Sequence, residues 1–239
     1  AHRFTHVYHL AAAGVRARNE HSQPCVGCNT LGTFELARLA VRFGAERFVH
    51  AGSGFEYRPQ STPIDESAPL QAANLYGASK AAGWMLLDYL RREEGLPLVT
   101  VRPFAVYGPG EHSSKLIPYV VSRARERKTI QLSGGEQIRD YLHVDDVVDA
   151  LIAAGDRTES IGRVYNLGGG PANAMSVREI VRRILDLVEA PLSLCEFGTA
   201  ARPRTDPAYL VANPARAEAE LDWRARITLD AGLKSLVAA

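Results

Sequence analysis

The sequence predicts an open α/β protein: a doubly wound parallel sheet with a small carboxyl-terminal α/β lobe. Three observations carry this reading. Short apolar, β-branched runs alternate with segments of helical spacing, the order that builds parallel sheets. One run, Arg47–Ala51, ends on Gly52-Ser53-Gly54, and another, Leu98–Arg102, ends on Pro103. Between them lies a long helical pattern carrying Tyr76 and Lys80, four residues apart and therefore on one helix face.

Taken in order, Thr5 to Ala11 reads as a buried strand. Thr30 to Phe43 has helical apolar spacing and stops at Gly44. The polar, proline-containing stretch Pro59 to Pro69 is a loop, and Asn74 to Glu94 is a long helix stopped by Gly95. Leu116 to Arg127 is helical, with Leu116, Ile117, Val120, Val121 and Ala124 on one side. Thr129 to Leu132 is a short strand before the turn Ser133-Gly134-Gly135. Asp145 to Ala154 is helical, and Val164 to Leu167 is a strand running into Gly168-Gly169-Gly170. Ser176 and Glu179 form a capping box that opens a helix through Val188. Asn213-Pro214 reads as an N-cap followed by proline at the first helical position.

Composition narrows the function classes. At 239 residues the chain can bury a sizeable core, and its net charge of +1 argues against nucleic-acid binding. Arg123 to Lys128, the basic cluster, reads as the solvated end of a helix. No apolar run approaches the ~18 residues of a membrane span, and no signal-peptide pattern opens the chain. Cys25 and Cys28 form a C-x-x-C without a second such pair, so buried thiols are expected and no metal. Three unpaired cysteines suit a reducing cytoplasm.

Chemistry concentrates around the Tyr76–Lys80 pair. A free tyrosine titrates near pH ~10 and is a poor base at neutrality. An ammonium one helical turn away stabilises the phenolate, and such a pair can exchange a proton with a hydroxyl while a cofactor exchanges the hydride. Ser53, at the carboxyl end of a parallel strand, lies where open α/β sheets bind ligands. By spacing alone, Y-x-x-x-K is common on surface helices; the flanking strand–Ser and strand–Pro segments give it weight.

Further segments follow in a recognisable order: Val7-Tyr8-His9-Leu10-Ala11-Ala12, Asn29 to Thr33, Ser53 four residues before Tyr57, Arg139 to Val147, Tyr165 to Gly168, and Arg202-Pro203. With these the chain resembles an extended short-chain dehydrogenase/reductase of the NAD-dependent epimerase/dehydratase family, whose members act on nucleotide sugars. The resemblance implies a Rossmann-like cofactor domain from residues 1–107 and 134–163, and a nucleotide-sugar lobe from 108–133 and 164–239. It implies NAD or NADP as cofactor, a nucleoside-diphosphate sugar as substrate, and a homodimer formed through the Thr30–Phe43 and Asn74–Glu94 helices. Tyr76 would be the acid/base, with Lys80 lowering its pKa and holding the nicotinamide ribose. Ser53 would hydrogen-bond the reacting hydroxyl or ketone. His9, Leu10, Ala11, Ala12 and Pro103 would line the cofactor, and Gly54, Phe55, Arg139 and Arg202 would touch the substrate. Asp140 and Asp145 read as structural or capping residues.

The departures from the family pattern are informative. No glycine-rich turn precedes Val7, so the sheet is expected to lack its first strands (two βαβ units of roughly 30 residues each) and to bind cofactor poorly. Gly54 and Phe55 stand where dehydratases and decarboxylases carry carboxylates, and Glu56 is expected to face the other way. Ala105 stands where an asparagine often contacts substrate phosphates. What remains is C4 epimerisation through a ketone or reduction of a 4-keto sugar. The alternative is a non-catalytic binding or regulatory protein that keeps the fold without competent cofactor binding.

Overall fold

The computed structural model describes residues 4–14 and 22–238. Its central sheet is formed by β1 (His6–His9), β2 (Arg47–Ala51), β3 (Leu98–Pro103) and β8 (Val164–Leu167), in the order β1-β2-β3-β8. All three pairings are parallel, as expected. Strands buried on both faces need apolar side chains on both, which is why β2 and β3 read as continuous apolar runs. Phe48 and Leu98 point to one face, against α2 (Thr33–Arg42) and α3 (Leu75–Glu93). Val49, Val99 and Val101 point to the other, against α5 (Val144–Asp156) and α7 (Ala215–Leu221).

A separate apolar cluster joins α4 (Leu116–Arg125), α6 (Val177–Leu187) and α8 (Leu229–Ala238) around Ile117, Val120, Ile180, Ile184 and Leu233. Two strands, β5 (Ile130–Leu132) and β10 (Cys195–Phe197), pair in parallel beside it. The Ser176–Glu179 capping box forms as expected. Short strands that no periodicity signals complete the fold. β4 (Val106–Tyr107) pairs with β7 (Leu142–His143), while β6 (Ile138–Arg139) lies between β11 (Tyr209–Leu210) and β9 (Met175–Ser176). No helix of the described residues is long and apolar enough to cross a membrane.

Helix boundaries differ from expectation at two places. The helix expected from Thr30 begins earlier, with α1 (Ser22–Val26), and passes through a π-turn over Gly27–Gly32 before α2. Cys25 and Cys28 therefore lie within this helical segment rather than before it; Cys25 is buried and Cys28 half-buried. The π-turn carries the buried Asn29, whose amide accepts from Ala13 N (2.8 Å) and donates to Ala13 O (2.8 Å) and Ser79 Oγ (2.9 Å). That clamp ties the segment after β1 to α3. At α7, Pro214 occupies the N-cap and Asn213 accepts from Ala215 N at 3.1 Å, one residue out from the expected register.

A polar row crosses the sheet beneath α3: His9, His50 and Thr100 are adjacent by register. His9 reaches Thr33 Oγ1 at 2.8 Å, while neither ring nitrogen of His50 has a hydrogen-bond partner among the described residues. Burial holds His50 neutral, reinforced by Lys80 above it, His9 beside it and Arg102 across the sheet. Burial and Lys80 likewise push His9 down to about 4. The folded state thus refuses protons that the unfolded chain takes up near pH 6.5. Stability is full above that pH and falls as acid is added, by about 1.4 kcal/mol per pH unit for each fully refused proton. Urea unfolding between pH 5 and 7.5 should show this slope, and His50→Phe should flatten it. An unchanged slope in that variant would place the acid sensitivity elsewhere.

Candidate active site

Ser53 follows β2 at the carboxyl edge of the sheet, N-capping a single 3₁₀ turn over Gly54–Glu56. Its Oγ accepts from Phe55 N at 3.2 Å, which fixes the rotamer and leaves the hydroxyl proton to donate. Asn74 N-caps α3 through Gly77 N at 2.8 Å, setting the rotation that aims the Tyr76 side. The structure brings these elements together. Ser53, Phe55, Asn74, Tyr76 and Pro103 line one cleft of about 670 Å³, and Ser53 lies close enough to the Tyr76 phenol to favour its ionisation. The Phe55 ring meets Tyr76 edge-on at 6.3 Å between centroids. A separate cavity of about 390 Å³ between α4 and α8 shares Glu111 with the cleft but has neither Ser53 nor Tyr76.

The electrostatics differ in one respect from the expected pair. Burial pushes the Tyr76 phenol up to about 12; Ser53 pulls it back, and the nearby Glu56 adds to the rise. Lys80 is buried, one turn along, and its Nζ donates to Ala51 O at 2.6 Å rather than to the phenol. Burial lowers Lys80 and Glu56 opposes that. In this geometry the phenol is held protonated.

The other expected site residues separate into groups. Pro103 and Phe55 face the cleft. Gly54 is buried beneath it, against the Phe104 ring. The His9 ring turns into the core towards Thr33, whereas Leu10 and Ala11 are exposed at the carboxyl end of β1 and Ala12 is half-buried; the cleft residue nearest in sequence is Gly14. Arg139 and Arg202 converge on one carboxylate, Asp206, at 2.6 and 3.1 Å. Asp206 and Thr205 line the cleft, and Arg202 lines an adjoining cavity of about 410 Å³. Asp140 is structural: buried, it accepts from Gly170 N at 3.1 Å and Ala212 N at 2.9 Å, and burial raises it to about 7. Asp145 sits in the first turn of α5.

Sequence reasoning missed the opposite wall, built by Glu111, His112 and Lys115 just before α4. Burial lifts Glu111 to about 7 despite Lys115. The available signal was a charged run directly after the Gly108-Pro109-Gly110 turn and before an apolar helix.

Proteins similar to this chain include enzymes of sugar-nucleotide chemistry. A UDP-glucuronate 4-epimerase from Thermodesulfobacterium geofontis is 32% identical over 97% of this chain and 71% of its own length. A UDP-glucose 4-epimerase from Mycolicibacterium smegmatis is 31% identical over 97% of the chain and 74% of its own. Among solved structures, a dTDP-glucose 4,6-dehydratase from Streptomyces venezuelae with NAD bound superposes with a TM-score of 0.90 at 28% identity, over 98% of this chain and 72% of that one. The family model of NAD dependent epimerases and dehydratases matches residues 1–168. The strand–Ser, Tyr–Lys helix and strand–Pro order is thus set in a recognised frame, and the chain belongs to the NAD dependent epimerase/dehydratase family.

Proposed function

We propose that the protein is an NAD- or NADP-dependent nucleotide-sugar oxidoreductase, acting as a C4 epimerase or a 4-ketoreductase. The observation that carries this reading is the meeting of Ser53 and Tyr76 in one cleft, with Lys80 one helical turn behind. Ser53 turns its hydroxyl proton to the reacting oxygen when substrate is bound, and Tyr76 exchanges the proton on that oxygen. The protonated phenol is the form that completes reduction of a ketone; the Lys80 ammonium favours the phenolate needed for the reverse step.

The residues fit a nicotinamide ribose. Lys80 has three donors and uses one on Ala51 O, Pro103 supplies a flat apolar wall, and Gly14 and Gly52 line the cleft without side chains. The chemistry a nicotinamide supplies there is reversible hydride exchange with a carbinol carbon. Arg139 and Arg202 carry two positive charges against the one of Asp206, leaving a net cation for a diphosphate. On this reading residues 1–107 and 134–163 form the cofactor domain and 108–133 and 164–239 the sugar-nucleotide lobe.

Dehydration is disfavoured by space as well as by chemistry. A Cβ at Gly54 would lie 2.7 Å from the Phe104 ring, so the position has no room for a carboxylate. The test is incubation of the protein with UDP-, dTDP-, GDP- and CDP-sugars, with and without reduced cofactor. Net cofactor consumption identifies a reductase, and product without consumption an epimerase. Sugar-nucleotide binding with no turnover of any member supports a non-catalytic binding protein instead.

Leu39, Met85 and Tyr89 are exposed on α2 and α3, as is Phe43 at the end of α2, and we assign these faces to a second copy of the chain. Sedimentation at micromolar concentration should give a dimer, and Met85→Glu should shift it to monomer. Cys25, Cys28 and Cys195 form no disulfide among the described residues, which suits a cytoplasmic setting.

A further inference from the structure

We infer that Glu56 is a positioning residue: its buried carboxylate aims Ser53 and sets a fixed negative pole beneath the Tyr76–Lys80 pair. The inference rests on the reading of Ser53, Tyr76 and Lys80 as the reacting centre. Glu56 does not line the cleft and is fully buried, so it touches no substrate. One oxygen, Oε1, accepts from Ser53 N at 2.7 Å; the other, Oε2, accepts from Arg102 Nε at 2.8 Å. Ser53 is therefore held twice, by its main chain on Glu56 and by its Oγ on Phe55 N.

The carboxylate is itself fixed from the sheet. The Arg102 guanidinium lies between the Tyr57 and Trp84 rings, 4.8 Å from each centroid. Its Nη1 donates to Tyr57 Oη at 2.8 Å, and Tyr57 donates on to Asn166 Oδ1 at 2.8 Å. A chain of buried polar groups thus runs from β8 through β3 to Ser53. Position 52 is matched to it: a Cβ there would lie 2.5 Å from Glu56 Oε1 and 3.0 Å from Arg102 Cγ, so glycine makes room for the ion pair.

Charge gives Glu56 its second role. In a buried site a carboxylate acts over several ångströms, and both reacting groups register it: it opposes ionisation of Tyr76 and favours the ammonium of Lys80. Burial acts on both groups more strongly, Ser53 counters at Tyr76, and Arg102 partly offsets the carboxylate itself. Cys28, which favours the Lys80 ammonium, Cys25, which opposes ionisation of Tyr76, and His9 and His50 beside Lys80 are the other titratable groups near the pair.

The experiment compares Glu56→Gln and Glu56→Asp across a pH profile of kcat, with Tyr76→Phe as control. Glu56→Gln removes the charge, so the limb that reports Tyr76 moves to lower pH, whether the phenol acts as acid or base. Glu56→Asp keeps the charge but is one methylene short of bridging Ser53 N and Arg102. Its limb stays in place while kcat falls by about 10- to 100-fold, the scale of a misplaced reacting group. A uniform loss of kcat in Glu56→Gln with no movement of the limb means that Glu56 is structural only and overturns the inference. Full kcat in Glu56→Asp also overturns it, and that variant decides the matter if Glu56→Gln does not fold. Loss of the parent reading has a different signature: turnover that survives Tyr76→Phe.

Discussion

Tyr76→Phe is expected to lower kcat by roughly 10²–10⁴-fold, the usual contribution of a positioned acid/base, with nucleotide-sugar affinity nearly unchanged. The substitution removes one oxygen. The ring is retained, and with it the edge contact to Phe55. The Ser53 rotamer is retained too, because Phe55 N holds its Oγ independently of the phenol. Binding of a diphosphate is assigned to Arg139 and Arg202 around Asp206, which Tyr76 does not contact in the structure. Turnover at saturation and a titration of binding separate the two effects. Undiminished kcat would remove Tyr76 from the mechanism, and with it the sugar-redox reading. A tenfold loss of affinity at unchanged kcat would make it a substrate contact instead.

The large features of the fold were legible because burial imposes simple patterns. β2 and β3 sit between two helical layers and read as apolar runs, while α3 carries a capping asparagine and a terminating glycine. Ser53, Tyr76 and Pro103 could be placed together because strand ends and a helix face have known directions. The two-residue strands β4, β6, β7, β9 and β11 could not be read, since their partners lie far away in the chain and two residues show no period. The π-turn at Gly27–Gly32 was hidden for a different reason. Its extra residue is stabilised by the tertiary hydrogen bonds of Asn29 to Ala13 and Ser79, which no local propensity records. The pairing of Arg139 and Arg202 on Asp206 likewise depends on loop geometry. Glu56, expected to face the other way, does not line the cleft; its ion pair with Arg102, 46 residues along the chain, leaves no local signal in the sequence.

Arg102→Met is expected to be the most destabilising single change at the site, by about 3–5 kcal/mol, because it leaves a buried carboxylate without its partner. Both side chains of the pair are almost wholly inaccessible, 2% for Arg102 and 0% for Glu56, so water cannot replace the lost guanidinium. Methionine keeps much of the stem packed between Tyr57 and Trp84 but cannot donate to Glu56 or Tyr57. The cost should therefore be electrostatic rather than steric, and a second substitution separates the two. Glu56→Gln combined with Arg102→Met removes both charges, so the double variant should unfold at higher urea than Arg102→Met alone. The two changes should couple by more than about 1 kcal/mol, as groups in one network do. Simple additivity would mean that the guanidinium contributes through its packing between the two rings, and that the negative pole under Ser53 is screened by something other than Arg102. A coupled result would instead tie the stability of the sheet to the aim of the serine, through the same pair of charges.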